Sequence, residues 1–369
     1  MTVYSDITTG DAGLWFHQRS YANPDYAIDA AAGRYIVLCF FGSAGDTDTR
    51  AALRAAGAAG DVFDDRKCSF FGVSNDPADE SGKRVANHYP GFRYLWDFDG
   101  SVSRLYGALP RDSEGIDRSA LRKRWVVLDP TTRILRILPF GDAAAAIAYL
   151  RELPPASNYA GFEISAPILV LPHVFEPEFC SRLIGLYDEH GGVSSGFMRD
   201  VGGKTVHLTD EKHKVRRDYK IEDENLIGQI QLRFRRRVVP EIEKIHCFKV
   251  TRMERYIVAC YSADEKGHFR AHRDNRTKGT AHRRYAASIN LNADFEGGEI
   301  QFPEYGQRTY KPPVGGAVVF SCSMLHAVTQ VTAGRRYAFL PFLYDNAAAQ
   351  IRAENMKYLE TGEKKSEPA

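Results

Sequence analysis

Two histidines, an aspartate and an arginine carry the sharpest chemistry in this sequence. His272 and Asp274 stand two residues apart in His272-Arg-Asp274. Side chains at i and i+2 of a strand leave the same face, so both can reach one ion. His326 follows the apolar run Gly316-Ala-Val-Val-Phe320 and is placed to supply a third donor. Two imidazoles and a carboxylate on one face of an octahedron leave three positions open. Such a set suits iron(II) better than a thiolate site would, and no cysteine lies within the motif. Alone, His-x-Asp is also met in surface loops. Arg336, on the strand-like run after His326, weighs against that reading. A guanidinium there can grip the far carboxylate of a chelating 2-oxo acid through two parallel hydrogen bonds. Strand alternation would turn its neighbour Arg335 to the opposite face.

Short strand-like runs surround these residues: Tyr256 to Tyr261, Tyr285 to Leu291, Glu299 to Phe302, Gly316 to Phe320 and Tyr337 to Tyr344. Two helices precede them. One starts at Pro177, with Phe179, Leu183, Ile184 and Tyr187 on one face. The other runs from Asn225 to Val239, with Leu226, Ile230 and Phe234 spaced by four. The pattern fits a double-sheet jelly roll with supporting helices. The first part of the chain instead alternates strand and helix signals. Tyr35 to Phe41 and Ser69 to Ser74 are continuous apolar runs, and Thr47 to Ala59, Glu80 to Tyr89 and Asp142 to Leu150 read as helices. Asp129-Pro-Thr-Thr132 turns a hairpin between Arg124 to Leu128 and Ile134 to Leu138. An α/β layer fold follows. The expected organisation is a domain over 1–153, a proline-led linker over 154–166, a second domain over 167–345, and a tail over 346–369 that is a short helix and then a frayed end.

The segment from Arg255 to Asp345 resembles the 2-oxoglutarate/Fe(II) dioxygenase superfamily, in its prolyl 4-hydroxylase-like branch. The matching motifs are His272-Arg-Asp274, Leu291-Asn-Ala-Asp-Phe-Glu-Gly-Gly-Glu299 and His326-Ala-Val-Thr-Gln-Val-Thr-Ala-Gly-Arg-Arg336, with Val258-Ala-Cys-Tyr261 ahead of them. The resemblance implies a double-stranded β-helix in which His272, Asp274 and His326 hold Fe(II), and Arg336 binds the distal carboxylate of 2-oxoglutarate. It places Tyr261 at the cosubstrate pocket, and Asn290 where relatives often carry a tyrosine. Phe269, Arg273 and Asn275 fall at the substrate pocket. The implied reaction is hydroxylation of an amino-acid side chain with O2, releasing succinate and CO2, with ascorbate as helper. The presence of Asp274 sets the chain apart from related halogenases, which lack that carboxylate.

The amino-terminal alternation resembles the thioredoxin fold and, more narrowly, the peroxiredoxin family. The matching pieces are Ile36 to Phe41, Phe71-Gly-Val-Ser-Asn-Asp76, Trp96-Asp-Phe-Asp-Gly100 and Trp125 to Asp129. Peroxiredoxins carry a nucleophilic cysteine in the loop after the first strand. Here that loop, Gly42 to Thr49, has no thiol, and a hydroxyl cannot replace a thiolate at neutral pH. Cys39 and Cys68 read as structural, and the domain as a non-peroxidatic scaffold.

The 369 residues exceed what one core usually absorbs. A net charge of +2 gives no general attraction to nucleic acid or anionic membrane. Met1 to Trp15 lacks a signal-peptide pattern, and the six cysteines have no zinc-type spacing. The reading is a cytoplasmic protein. The basic clusters Lys212 to Lys220 and Arg233 to Arg237 are expected on solvated helix faces. The glycine-rich Ser194 to Gly203 is a candidate lid loop. His268 and His282 are expected to face solvent, and His173, His207, His213 and His246 to lack ligand-like partners. The expected substrate is a peptide, a protein or a small amino-acid-like molecule. A homodimer is allowed but has no residue arguing for it. The competing functions are a non-catalytic iron and 2-oxoglutarate sensor or adaptor, and a thiol peroxidase.

Overall fold

The computed structural model describes residues 3–113 and 115–365. They form two compact units: one up to Ser165 together with Pro303–Gln307, the other Ala166–Phe302 together with the chain from Arg308 onward. Among the described residues, no helix is long and apolar enough to cross a membrane.

The first unit holds a five-stranded sheet of β1 (Tyr35–Gly42), β2 (Cys68–Ser74), β3 (Phe92–Trp96), β4 (Arg124–Leu128) and β5 (Ile134–Pro139), in the order β3-β2-β1-β4-β5. β1, β2 and β3 run parallel, while β4 is antiparallel to β1 and β5. The unbroken apolar run of β1 has a direct cause, since both faces are covered. Tyr35, Val37, Cys39 and Phe41 pack with residues of α1 (Thr47–Gly57) and α2 (Ala143–Glu152), while Ile36, Leu38 and Phe40 join a second core on the other face. The hairpin turn is held by the Asp129 carboxylate, which accepts from the Thr131 and Arg133 amides at 2.8 and 3.0 Å. The helix expected over Glu80 to Tyr89 is instead a short one, Pro77–Ser81. Asp76 caps it and Pro77 opens it. Gly82, and Lys83 at φ 50°, end it before the expected span is under way.

In the second unit, β6 (Leu169–Leu171) and α3 (Pro177–His190) lead to a hairpin of β7 (Phe197–Val201) and β8 (Lys204–Thr209). Next come β9 (Lys214–Val215), β10 (Arg217–Lys220), α4 (Glu224–Arg237) and α5 (Val239–His246). Further strands that build the site are β11 (Ile257–Ser262), β12 (His268–His272), β13 (Tyr285–Asn290), β14 (Ile300–Gln301), β15 (Ala317–Ser321), β16 (His326–Val328), β17 (Val331–Phe339) and β18 (Phe342–Tyr344). They sort into two sheets. The larger runs β18-β13-β17-β11-β10, with β15 pairing β13 and β6; the smaller runs β9-β12-β16-β14. Consecutive strands β11 and β12 thus lie in different sheets, as do β16 and β17.

Helices α3 and α4 bury Phe179, Leu183, Tyr187, Leu226, Ile230 and Phe234 against the larger sheet, as their spacing predicts. The single run expected over Tyr337 to Tyr344 divides into β17 and β18 around Pro341, which has no amide hydrogen to donate. Ser194 to Gly203 is mostly the first strand of the β7–β8 hairpin, which turns at Gly202-Gly203, rather than a loop. After α6 (Asn346–Asn355), the end expected to fray adds β19 (Leu359–Lys365), parallel to β8.

Candidate metal centre

β12 and β16 are antiparallel neighbours, and His272 and His326 are direct cross-strand partners. Asp274 lies in the turn just past β12, its amide donating to the Cys322 carbonyl at 2.9 Å. One donor atom from each of the three residues lies within 4.8 Å of the others. The Asp274 carboxylate is 3.6 Å from His272 Nε2 and 3.4 Å from His326 Nε2. Each imidazole is aimed from behind. His272 Nδ1 donates to the Arg270 carbonyl at 2.8 Å and His326 Nδ1 to the Met324 carbonyl at 3.1 Å, which leaves both Nε2 lone pairs facing the centre. Phe269 stacks on His272 with ring centroids 3.5 Å apart.

Burial alone would raise the Asp274 carboxyl, but the adjacent His326 and His272 hold it well below its usual range. Burial, and then His272, push His326 down to about 4. An ionised carboxylate and a neutral imidazole are the forms in which these groups bind a metal.

Arg336 on β17 faces Tyr261 on β11 and is 1% exposed, whereas Arg335 is exposed. Its Nε donates to Asn290 Oδ1 at 3.0 Å and its Nη2 to Ser288 Oγ at 2.8 Å. Asn290 is itself fixed, donating Nδ2 to the Pro312 carbonyl at 2.9 Å. Arg336 Nη1 is buried and has no hydrogen-bond partner among the described residues. Burial lowers this guanidinium to about 10, with Arg216 adding to the effect and Tyr261 opposing it.

The cluster expected on a solvated face is the main correction. Lys214 on β9 and Arg216 between β9 and β10 are 5% and 4% exposed and lie beside the centre. Arg216 grips Asp218 with two bonds of 2.7 Å and donates to the Tyr261 hydroxyl at 3.3 Å. Lys214 Nζ donates to Ser195 Oγ at 2.7 Å and to the Gly196 carbonyl, and sits 4.9 Å from the Phe269 ring centre. Arg255 reaches Asp218 at 3.4 Å from a left-handed backbone, φ 68°. The spacing Lys214-x-Arg216-x-Asp218 has strand period and could have placed the three on one face. In the second cluster, Arg233 and Arg237 do lie on helix α4, where both pair with Glu176.

A pocket of about 340 Å³ opens beside the triad, with Lys214, Asp218, Arg255, Phe269 and Arg273 among its lining. A second pocket shares His272 and Asp274 with it and reaches Tyr261, Ser288 and His326. It draws its walls from both sheets, so they face each other. Asn275 does not line the larger pocket, because its amide turns to Ser323 Oγ at 2.7 Å. His282, expected in solvent, is 2% exposed and bonded to Glu254 at 3.0 Å. His213 lines the larger pocket, its ring 4.4 Å from that of Phe197.

Residues 230–344 match the family model of the 2OG-Fe(II) oxygenase superfamily, and residues 16–135 match that of the AhpC/TSA family. The chain therefore carries one region that matches the oxygenase superfamily model and another that matches the AhpC/TSA model. A PKHD-type hydroxylase of Paracoccus denitrificans is 48% identical over 46 residues, which is 12% of this chain. The match spans about a fifth of that relative, 20% of its length. A prolyl hydroxylase from Trichoplax adhaerens, solved with a hypoxia inducible factor peptide, is 15% identical, with 51% of this chain and 86% of that one covered at a TM-score of 0.37. The peroxidoxin BcpB of Mycobacterium tuberculosis is 18% identical, with 40% and 99% covered at 0.35.

The residues present fit the iron and 2-oxoglutarate that the superfamily implies. Three donors converge, and the buried Nη1 of Arg336 is left without an acceptor among the described residues.

Proposed function

We propose that the chain is an Fe(II)- and 2-oxoglutarate-dependent hydroxylase acting on a C–H bond of an amino-acid side chain. The convergence of His272, Asp274 and His326 within 4.8 Å carries this reading. The paired sheets are read as a double-stranded β-helix. Iron(II) bound with 2-oxoglutarate supplies oxidative hydroxylation, one oxygen atom of O2 entering the C–H bond while 2-oxoglutarate becomes succinate and CO2. The protein's own residues do the positioning. Arg336 would hold the distal carboxylate through Nη1, kept in place by Asn290 and Ser288. Tyr261 would line the same pocket, its hydroxyl oriented by Arg216. Ile300, Phe320 and Val328 give the pocket apolar walls that limit water. Ascorbate would restore iron(II) after unproductive turnover. The β7–β8 hairpin, whose Phe197 and Met198 line the larger pocket, the outer of the two, would close over substrate.

The test is succinate formation from 2-oxoglutarate under air with iron(II) and ascorbate, comparing wild type with Asp274→Ala, alongside binding of iron(II) and 2-oxoglutarate. Turnover abolished by the substitution supports the hydroxylase. Binding of both without succinate, in a screen of proline-containing peptides and free amino acids, would favour a sensor or adaptor. A wild type that binds neither would sink the reading.

A further inference from the structure

The outer pocket is lined by more basic groups than carboxylates able to pair with them, and burial pushes the Lys214 ammonium well below its usual range. Lys214, Arg216 and Arg255 surround a single carboxylate, Asp218, and Arg216 already occupies both of its oxygens. The other nearby carboxylate, Asp274, belongs to the triad. Lys214 spends its bonds on neutral oxygens while almost fully buried. Arg255 makes one long contact to Asp218, yet its backbone adopts a conformation that non-glycine residues rarely take. Arg283, by contrast, is neutralised by Glu254 at 3.0 Å. Buried cations in excess of their partners are costly unless an anion completes the site. Arg336 does not draw on this set, having its own supports on β13.

We infer that the outer pocket binds the oxyanionic head, carboxylate or phosphate, of a small substrate between Lys214 and Arg255, presenting the neighbouring carbon to the triad. At about 340 Å³ the pocket suits a molecule of amino-acid to short-peptide size. The inference rests on the oxygenase reading for what then happens to the bound molecule, but not for the binding itself. It accounts for the gathering of Lys214, Arg216 and Arg255 around Asp218, and for the left-handed backbone of Arg255.

The experiment is calorimetric titration without O2, on the full chain alone and again with iron(II) and 2-oxoglutarate. The probes are free L-amino acids, the same residues at the carboxy terminus of N-acetylated tetrapeptides, the carboxamides of both sets, and inorganic phosphate. At least one acid or phosphate should bind on the order of 100-fold more tightly than the neutral amides. Lys214→Met and Arg255→Gln should each erase most of that preference. Selective binding of free amino acids, of peptide acids or of phosphate identifies the source of the anion. If no anion is preferred, or if the preference survives in whichever variant stays folded by circular dichroism, the inference is overturned. Failure to bind iron(II) and 2-oxoglutarate instead overturns the oxygenase reading, and the pocket is then judged on the unloaded protein.

Discussion

At Asp274, burial and charge pull in opposite directions, and two imidazoles decide the outcome in favour of the carboxylate. Arg336 shows the reverse situation, a cation buried against neutral partners with its Nη1 unpartnered among the described residues. Arg336→Gln should therefore weaken 2-oxoglutarate binding roughly 30- to 5,000-fold, because truncating a buried charge pair costs about 2–5 kcal/mol. Iron(II) affinity measured in the same protein should change little, since Arg336 is not among the three converging donors. Glu254 gives a prediction about stability. Burial would raise its carboxyl, but the His282 hydrogen bond and the Arg283 charge bring it from 4.5 to about 2. The folded value lies below the unfolded one, so the stabilisation is full above pH 4.5 and fades as pH falls towards 2. The shift corresponds to about 3 kcal/mol. Glu254→Gln should lower the melting temperature at neutral pH and flatten its decline between about pH 5 and 3; an unchanged slope would show that the pair contributes little.

The elements exist because their sequence patterns agree with the cores they meet. Phe234 on α4 is 2% exposed, with ring centroids 6.1 Å from both Phe175 and Phe339. Phe234→Ala should cost about 3–5 kcal/mol by leaving a cavity, measurable by urea denaturation. The Gly-Gly pair of the Leu291 to Glu299 motif also has a specific role. Gly298 has φ 64°, and a Cβ there would lie 2.7 Å from Val331 Cγ2 and 3.2 Å from Arg336 Cδ. Gly298→Ala should thus weaken 2-oxoglutarate binding by displacing Arg336. The displacement would leave the donor geometry of His272 and His326, and hence iron(II) binding, largely intact. Equal loss of both affinities would instead point to general unfolding.

For the chain as a whole, the contrast between its two regions matters most. The amino-terminal region keeps the AhpC/TSA family match but offers only buried thiols, with burial pushing both Cys39 and Cys68 upward from their usual values. Peroxide consumption by the full chain should therefore be negligible, and indifferent to Cys39→Ser and Cys68→Ser. Thiol-dependent turnover would revive the peroxidase alternative.

Much of this was legible locally. The run before His326 and the alternation of Arg335 and Arg336 depend only on strand geometry, whereas Asp274, expected beside His272 by strand period, reaches the centre from the turn past β12. The continuous apolar runs of β1 and β2, and the stripes of α3 and α4, likewise reflect burial that any sheet or helix of that pattern must find. Other features depended on contacts between residues far apart in the chain. Lys214 and Arg216 read as solvent-facing charge because composition cannot reveal that Asp218, Ser195 and Tyr261 converge on them. Arg255, His282 and Asn275 were misjudged or overlooked for the same reason, as their roles depend on Asp218, Glu254 and Ser323. Which charges are buried is settled by folding alone, since the energy of a charge is set by the partners that folding brings to it.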